Sequence, residues 1–214
     1  MTKLILVRHG ETVWNAEKKF QGHTDIALSP AGLEQATRLA DRLASEKIAA
    51  VYSSDLNRAF VTAETVARRH NLTVNEVPSL REIRFGDWEG LTYTAIHEKW
   101  PSQLSGLFTT PGEIVIPGGE SFYELKKRAA DAIADLVAKH EDETVVVVSH
   151  GGTIRTIFCS ILDINLNHLW GIRQDNTAIN IIEYYDGRAL ISLVNDTHHL
   201  QQPGSGIGDG RTIA

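Results

Sequence analysis

Leu4-Ile5-Leu6-Val7-Arg8-His9-Gly10 and Val145-Val146-Val147-Val148-Ser149-His150-Gly151-Gly152 decide how this chain reads. Each is an unbroken apolar, β-rich run cut by a polar loop, the pattern of a strand covered on both faces. Each ends in a histidine. Ala49-Ala50-Val51-Tyr52-Ser53 is a third such run, leading through Ser54-Asp55 into a helix expected from Leu56 to His70. Ser29 reads as an N-cap with Pro30 at the first helical position, ahead of an apolar stripe of Leu33, Ala36, Ala40, Leu43 and Ala44. Ser121 and Glu124 have capping-box spacing before Leu125, Ala129, Ala132, Ile133, Leu136 and Val137. A further helix is expected from Thr153 to Leu162, and a short strand from Thr73 to Val77. Two runs, Ala178 to Tyr185 and Ala189 to Val194, flank the hairpin signal Asp186-Gly187.

Strands alternating with helices predict a three-layer α/β/α sandwich with a mainly parallel sheet and an antiparallel edge strand. The chain's 214 residues suit one domain over 1–200. Within it, 79–119 holds a short helix near 92–99 and a Pro/Gly-punctuated stretch, read as a cap over one end of the sheet. Residues 201–214 carry four glycines and read as a flexible tail.

Composition removes several classes of function. Apolar residues make up 42% and mean hydropathy is −0.17, ordinary globular values. The net charge of −6 speaks against nucleic acid and anionic membrane as partners. No apolar run is long enough to span a bilayer. A single cysteine, Cys159, allows no intrachain disulfide and no zinc–thiolate centre. With no signal-peptide pattern at the N-terminus, a cytoplasmic protein is expected.

The chemistry is expected where strands end. In open α/β sheets, ligands bind outside the carboxyl ends of the strands. If the two histidine-ending strands are neighbours, His9 and His150 face one crevice. Gly151-Gly152 open a helix whose free N–H groups favour an anion. Arg8 follows the first strand, and Arg58 lies in the first turn of the helix after Ser53. Two guanidinium forks, two imidazoles and a helix N-terminus make an oxyanion site, best suited to phosphate.

With Trp14-Asn15, the run Leu6-Val7-Arg8-His9-Gly10-Glu11-Thr12 resembles the signature of the histidine phosphatase superfamily, which includes phosphoglycerate mutases and many phosphomonoesterases. Five further ordered segments extend the resemblance over nearly the whole chain: Gln21-Gly22-His23-Thr24-Asp25 with Leu28-Ser29; Ser53 to Ala59 with Thr62-Ala63; Leu80-Arg81-Glu82 with Phe85 to Gly90; Gly118 to Ser121; and Ser149 to Gly152. The resemblance implies a phosphoglycerate mutase-like fold and a role for each residue. His9 would be the nucleophile, its other nitrogen donating to a fixed acceptor. Arg8, Arg58 and His150 would hold the equatorial oxygens. Glu82 would protonate the leaving alkoxide and then activate water, for which it must be protonated while substrate is bound. Asn15 and the backbone around Gln21, Gly22 and Gly151 would add hydrogen bonds to phosphate. No metal and no cofactor are called for.

Hydrolase and mutase differ in what accepts the phosphoryl group. The span from Gly90 to Val145 is shorter than in the resembling mutases and holds few basic residues before Lys126. That leaves little charge for a second phosphate and favours a phosphomonoesterase acting on a small-molecule phosphate ester. An apolar surround of Phe85, Trp100 and Phe108 is expected to suit an organic ester. Trp14 reads as a core aromatic, Cys159 as a small core residue, and His23 as the further histidine nearest the substrate. The alternatives are a phosphoglycerate mutase and a non-catalytic phosphate-binding module. A homodimer is compatible with the sequence.

Overall fold

The computed structural model describes residues 1–201. Six strands form one sheet: β1 (Thr2–Arg8), β2 (Ile48–Ser53), β3 (Val74–Glu76), β4 (Thr144–Ser149), β5 (Ile179–Tyr185) and β6 (Arg188–Asp196), in the order β3-β2-β4-β1-β5-β6. The first four are mutually parallel; β5 runs antiparallel to β1, and β6 antiparallel to β5. The sandwich with a mainly parallel sheet and an antiparallel edge is therefore the fold observed.

Unbroken apolar strands follow from cover on both faces. Leu4 and Leu6 of β1, with Val145 and Val147 of β4, point to one side. There they meet Ala129, Ile133 and Leu136 of α6 (Phe122–Lys139) and Ile154, Ile157 and Phe158 of α7 (Gly151–Ile161). Ile5, Val7, Val146 and Val148 point the other way. They meet Leu39, Ala40 and Leu43 of α2 (Pro30–Leu43) and Ala59, Ala63 and Val66 of α3 (Asn57–Arg69). The alternation is the period-two rule of a strand, and here neither face can be polar.

Helix starts follow the caps in the sequence. Ser29 accepts from Gly32 N at α2, and Ser121 with Glu124 forms a reciprocal capping box at α6, each cap worth about 1 kcal/mol. Some details differ from expectation. Leu33 is 50% exposed and Ala44 is exposed; Leu39 completes the buried stripe of α2 instead. Helix α7 begins at Gly151, two residues early, because His150 is its N-cap.

The segment 79–119 contains α4 (Tyr93–Lys99) and also α5 (Pro101–Thr109), which the sequence reading took for irregular chain. Pro101 starts that helix at N1 rather than breaking one. Ile83, Trp88, Ile96, Leu104, Leu107 and Ile116 form a third apolar cluster against Phe122, Leu125 and the buried Cys159. Among the described residues no helix is long and apolar enough to cross a membrane. Apart from Gln201, the expected tail lies outside the described residues.

Candidate active site

Register puts the two histidines side by side. Arg8 pairs with Ser149 across β1 and β4. His9 N, one residue on, donates to Ser149 O at 2.9 Å, and the His9 and His150 ring centroids stand 5.1 Å apart. Arg8, His9, Asn15, Gln21, Gly22, Arg58 and Glu82 line one cavity of about 220 Å³, together with Lys18, Lys19, Phe20 and Phe85. Gly151 is not in that lining but lies close to Arg8: a Cβ there would stand 3.4 Å from Arg8 Nε.

The buried groups have a specific shortage of partners. His150 is fully buried, yet neither ring nitrogen has a hydrogen-bond partner in the protein. Arg8 Nε, Arg58 Nε and Gln21 Oε1 are likewise buried and unpartnered. Buried polar atoms are normally satisfied, so a cluster of orphans is a ligand-shaped deficit. The other guanidinium nitrogens are what aim the forks. Arg8 Nη1 donates to Gln174 O at 2.6 Å. Arg58 Nη1 and Nη2 donate to Thr24 O and Gly22 O at 2.9 and 2.7 Å. Gly22 has φ +56, and a Cβ there would collide with the Glu89 carboxylate. That carboxylate accepts from His23 N, Thr24 N and Phe85 N, fixing the loop that aims Arg58.

His9 Nδ1 lies 2.7 Å from Gly10 O. A carbonyl can only accept, so Nδ1 carries the proton and Nε2 keeps its lone pair. Burial, then the charges of Arg58 and Arg8, hold His9 well below the ordinary value of 6.5; the Gly10 bond opposes this weakly. Burial, then Arg58, His9 and Arg8, do the same to His150. Burial lowers Arg58 to about 10, which leaves it cationic at neutral pH. The arrangement is two cations and one neutral imidazole on an anion-sized cavity, with the neutral His150 ring beside His9 but outside the cavity lining.

Burial likewise pushes His199, which meets Thr177 Oγ1, down to about 4. Histidines with folded values below 6.5 take up protons on unfolding, so stability is lost as pH falls below 6.5 and the loss from His199 completes near 4. Thermal melts between pH 7 and 4 are expected to show Tm falling steadily, starting above the carboxylate range. A flat Tm down to pH 5 would contradict these depressed values.

The helix N-terminus of α7 is used differently from expectation. Gly152 N and Thr153 N donate to the Glu82 carboxylate at 3.0 and 3.1 Å, and Ile83 N adds a third bond at 2.9 Å. A protein carboxylate, not a ligand, therefore takes these two amides. Glu82 forms no ion pair with its sequence neighbours: Arg81 pairs with Asp55, and Arg84 reaches Gly119 O. Asn15 Oδ1 is committed to Thr12 N and Oγ1, leaving its amide nitrogen for a ligand. His23 Nε2 donates to Glu82 O at 2.8 Å, so it braces the Glu82 loop from behind.

Three expectations are corrected. Trp14 is only half-buried, lying against Gly90 under the Lys19 ammonium. Trp100 and Phe108 are absent from the cavity lining; Phe108 is 48% exposed and packs on Tyr93 and Trp170. The apolar wall is Phe85 with Phe20, ring centroids 5.0 Å apart. Sequence reasoning missed Lys18, Lys19 and the segment behind His9. In that segment Asn176 Nδ2 donates to His9 O at 3.0 Å, and Thr177 N to Arg8 O at 3.0 Å. A lone Asn-Thr pair far along the chain carries no motif. Its positive φ of 53° at Thr177 is visible only in three dimensions.

Fold and site together define an α/β protein with a cation-lined, phosphate-sized cavity at the carboxyl ends of its parallel strands. A family model for the histidine phosphatase superfamily (branch 1) matches residues 4–197, and the chain belongs to that superfamily. It is 40% identical to phosphoglycerate mutase-like protein 4 of Arabidopsis thaliana, over 98% of this chain and 93% of that one. It is 38% identical to a metal-independent phosphoserine phosphatase of the same plant, over 95% and 85%. A mutant phosphoserine phosphatase of Entamoeba histolytica, solved in complex with phosphoserine, superposes with TM-score 0.84 at 33% identity, over 94% of this chain and all of that one. Phosphate-ester hydrolysis is the activity these relationships support, and the chain is a phosphatase of this family.

Proposed function

We propose that the protein is a metal-independent phosphomonoesterase acting on small organic esters through a phosphohistidine at His9 Nε2. The observation that carries this is His9 Nδ1 locked on Gly10 O beside the unpartnered Arg8, Arg58 and His150 donors. Nε2 attacks phosphorus as the ester P–O bond breaks, and the proton stays on Nδ1, hydrogen-bonded to Gly10 O. Arg8, Arg58 and His150 hold the equatorial oxygens and supply charge where the transition state spreads it. The Glu82 carboxyl gives its proton to the leaving alkoxide. Water then attacks the phosphohistidine, Glu82 takes its proton, the P–N bond breaks, and phosphate leaves with His9 Nε2 restored.

Hydrolysis is favoured over mutase chemistry because the cavity walls hold cations for one buried phosphate and no buried pair for a second. Phosphoserine is a substrate consistent with the relatives' names. Segment 79–119 serves as cap only through Glu82 and Phe85, and a cytoplasmic setting suits the single buried cysteine. With EDTA present, phosphoserine, 3-phosphoglycerate and p-nitrophenyl phosphate form the test panel. Turnover of at least one is expected. Silence on all three would overturn the phosphatase reading, activity lost on chelation would overturn metal independence, and isomerisation of 3-phosphoglycerate faster than its hydrolysis would make it a mutase.

A further inference from the structure

Seven non-glycine residues among those described have positive φ, and five are Asn or Asp, the types that tolerate it. The exceptions are Lys18, which lines the cavity, and Thr177, which bonds the backbone of Arg8 behind it. Thr177 is explained by its bonds behind His9. Lys18 ends the short helix α1 (Val13–Ala16): Lys18 N donates to Asn15 O at 3.1 Å and Lys19 N to Trp14 O at 2.9 Å. This is the Schellman pattern, whose left-handed position normally takes glycine. Here it holds lysine at φ +54, a backbone cost with no packing return, since Lys18 is exposed. Strain retained at a site wall points to a use for the side chain.

The cavity wall suggests that use. Its cations fall in two groups: the half-buried Arg8 and the buried Arg58, and, next to Phe20 in the chain, Lys18 and Lys19. Lys19 is committed, paired with Glu17 at 2.7 Å and lying over Trp14. Lys18 has no ion-pair partner among the described residues. The only carboxylate in the lining, Glu82, is held by α7. A substrate with one phosphate for the inner cations and a second, smaller anionic group for the free ammonium matches both groups.

We infer that Lys18 is a specificity-determining residue that selects phosphomonoesters bearing a carboxylate, which it pairs when phosphate is seated on Arg8 and Arg58. The inference rests on the phosphatase reading above and names the substrate class of that same site.

O-Phosphoserine and phosphoethanolamine differ only by the carboxylate, so the ratio of their kcat/KM values isolates it. Lys18→Gly removes the charge and suits the left-handed backbone, so the variant is expected to fold with an unchanged or higher Tm. It should lower the ratio about five- to tenfold, the scale of a partly exposed ion pair, mostly through KM for phosphoserine. Lys18→Arg should keep the ratio within about twofold of wild type, and raised salt should erode it in the wild type but not in Lys18→Gly. Equal loss on both esters, or an unchanged ratio in Lys18→Gly, would overturn the inference while leaving the phosphatase reading in place. No turnover of either ester or of p-nitrophenyl phosphate by the wild type would overturn both.

Discussion

Replacing His9 with alanine is expected to cut turnover about 10⁴-fold or more on every ester, because a covalent route loses its first acceptor and the remaining groups only bind. The loss should lie in kcat, since Arg8, Arg58 and His150 still hold phosphate. Inorganic phosphate or phosphoserine should therefore bind the variant with little change in affinity. Alanine leaves the fold intact: the His9 backbone bonds to Ser149 O and Asn176 Nδ2 do not involve the ring. Acid-quenched mixtures of wild type with labelled substrate should yield an acid-labile phosphoenzyme, and His9→Ala should yield none. Wild-type rates in the variant would show that the nucleophile lies elsewhere.

Glu82→Gln is expected to give the second largest effect, and one that depends on the leaving group. An alkyl ester needs a proton on its departing oxygen, so phosphoserine turnover should fall about 10²- to 10³-fold. The leaving group of p-nitrophenyl phosphate needs none. Its first step should survive, giving a burst of nitrophenol followed by slow release, because the water step has still lost its base. Glutamine keeps an oxygen to accept from Gly152 N and Thr153 N, so the α7 contact persists in part. Equal losses on both esters with no burst would mean that Glu82 acts only by anchoring α7.

Where the sequence is locally decisive, fold and site are legible from it. The runs ending in Arg8-His9 and Ser149-His150 can be valine- and leucine-rich throughout only if helices cover both faces of the sheet, and that is what α2, α3, α6 and α7 do. Arg58 was legible because it opens a helix after a strand. Other features depend on contacts between distant segments. The two glycines after His150 read as an anion cradle, yet Glu82, about 70 residues earlier in the chain, already fills it. Pro101 read as punctuation because proline stops one helix as readily as it starts another. Asn176 and Thr177 brace His9 from a loop with no local signature, and Lys18 occupies a backbone state that its residue type does not announce.

In the proposed mechanism the phosphoryl group is transferred to His9 Nε2 before water takes it, rather than directly to water. Two in-line displacements at phosphorus give overall retention; one gives inversion. Hydrolysis of a stereospecifically isotope-labelled phosphorothioate monoester in isotopically labelled water, with the configuration of the released thiophosphate determined, distinguishes them. Retention is predicted. Inversion would show that water attacks the ester directly and that His9 is not the nucleophile.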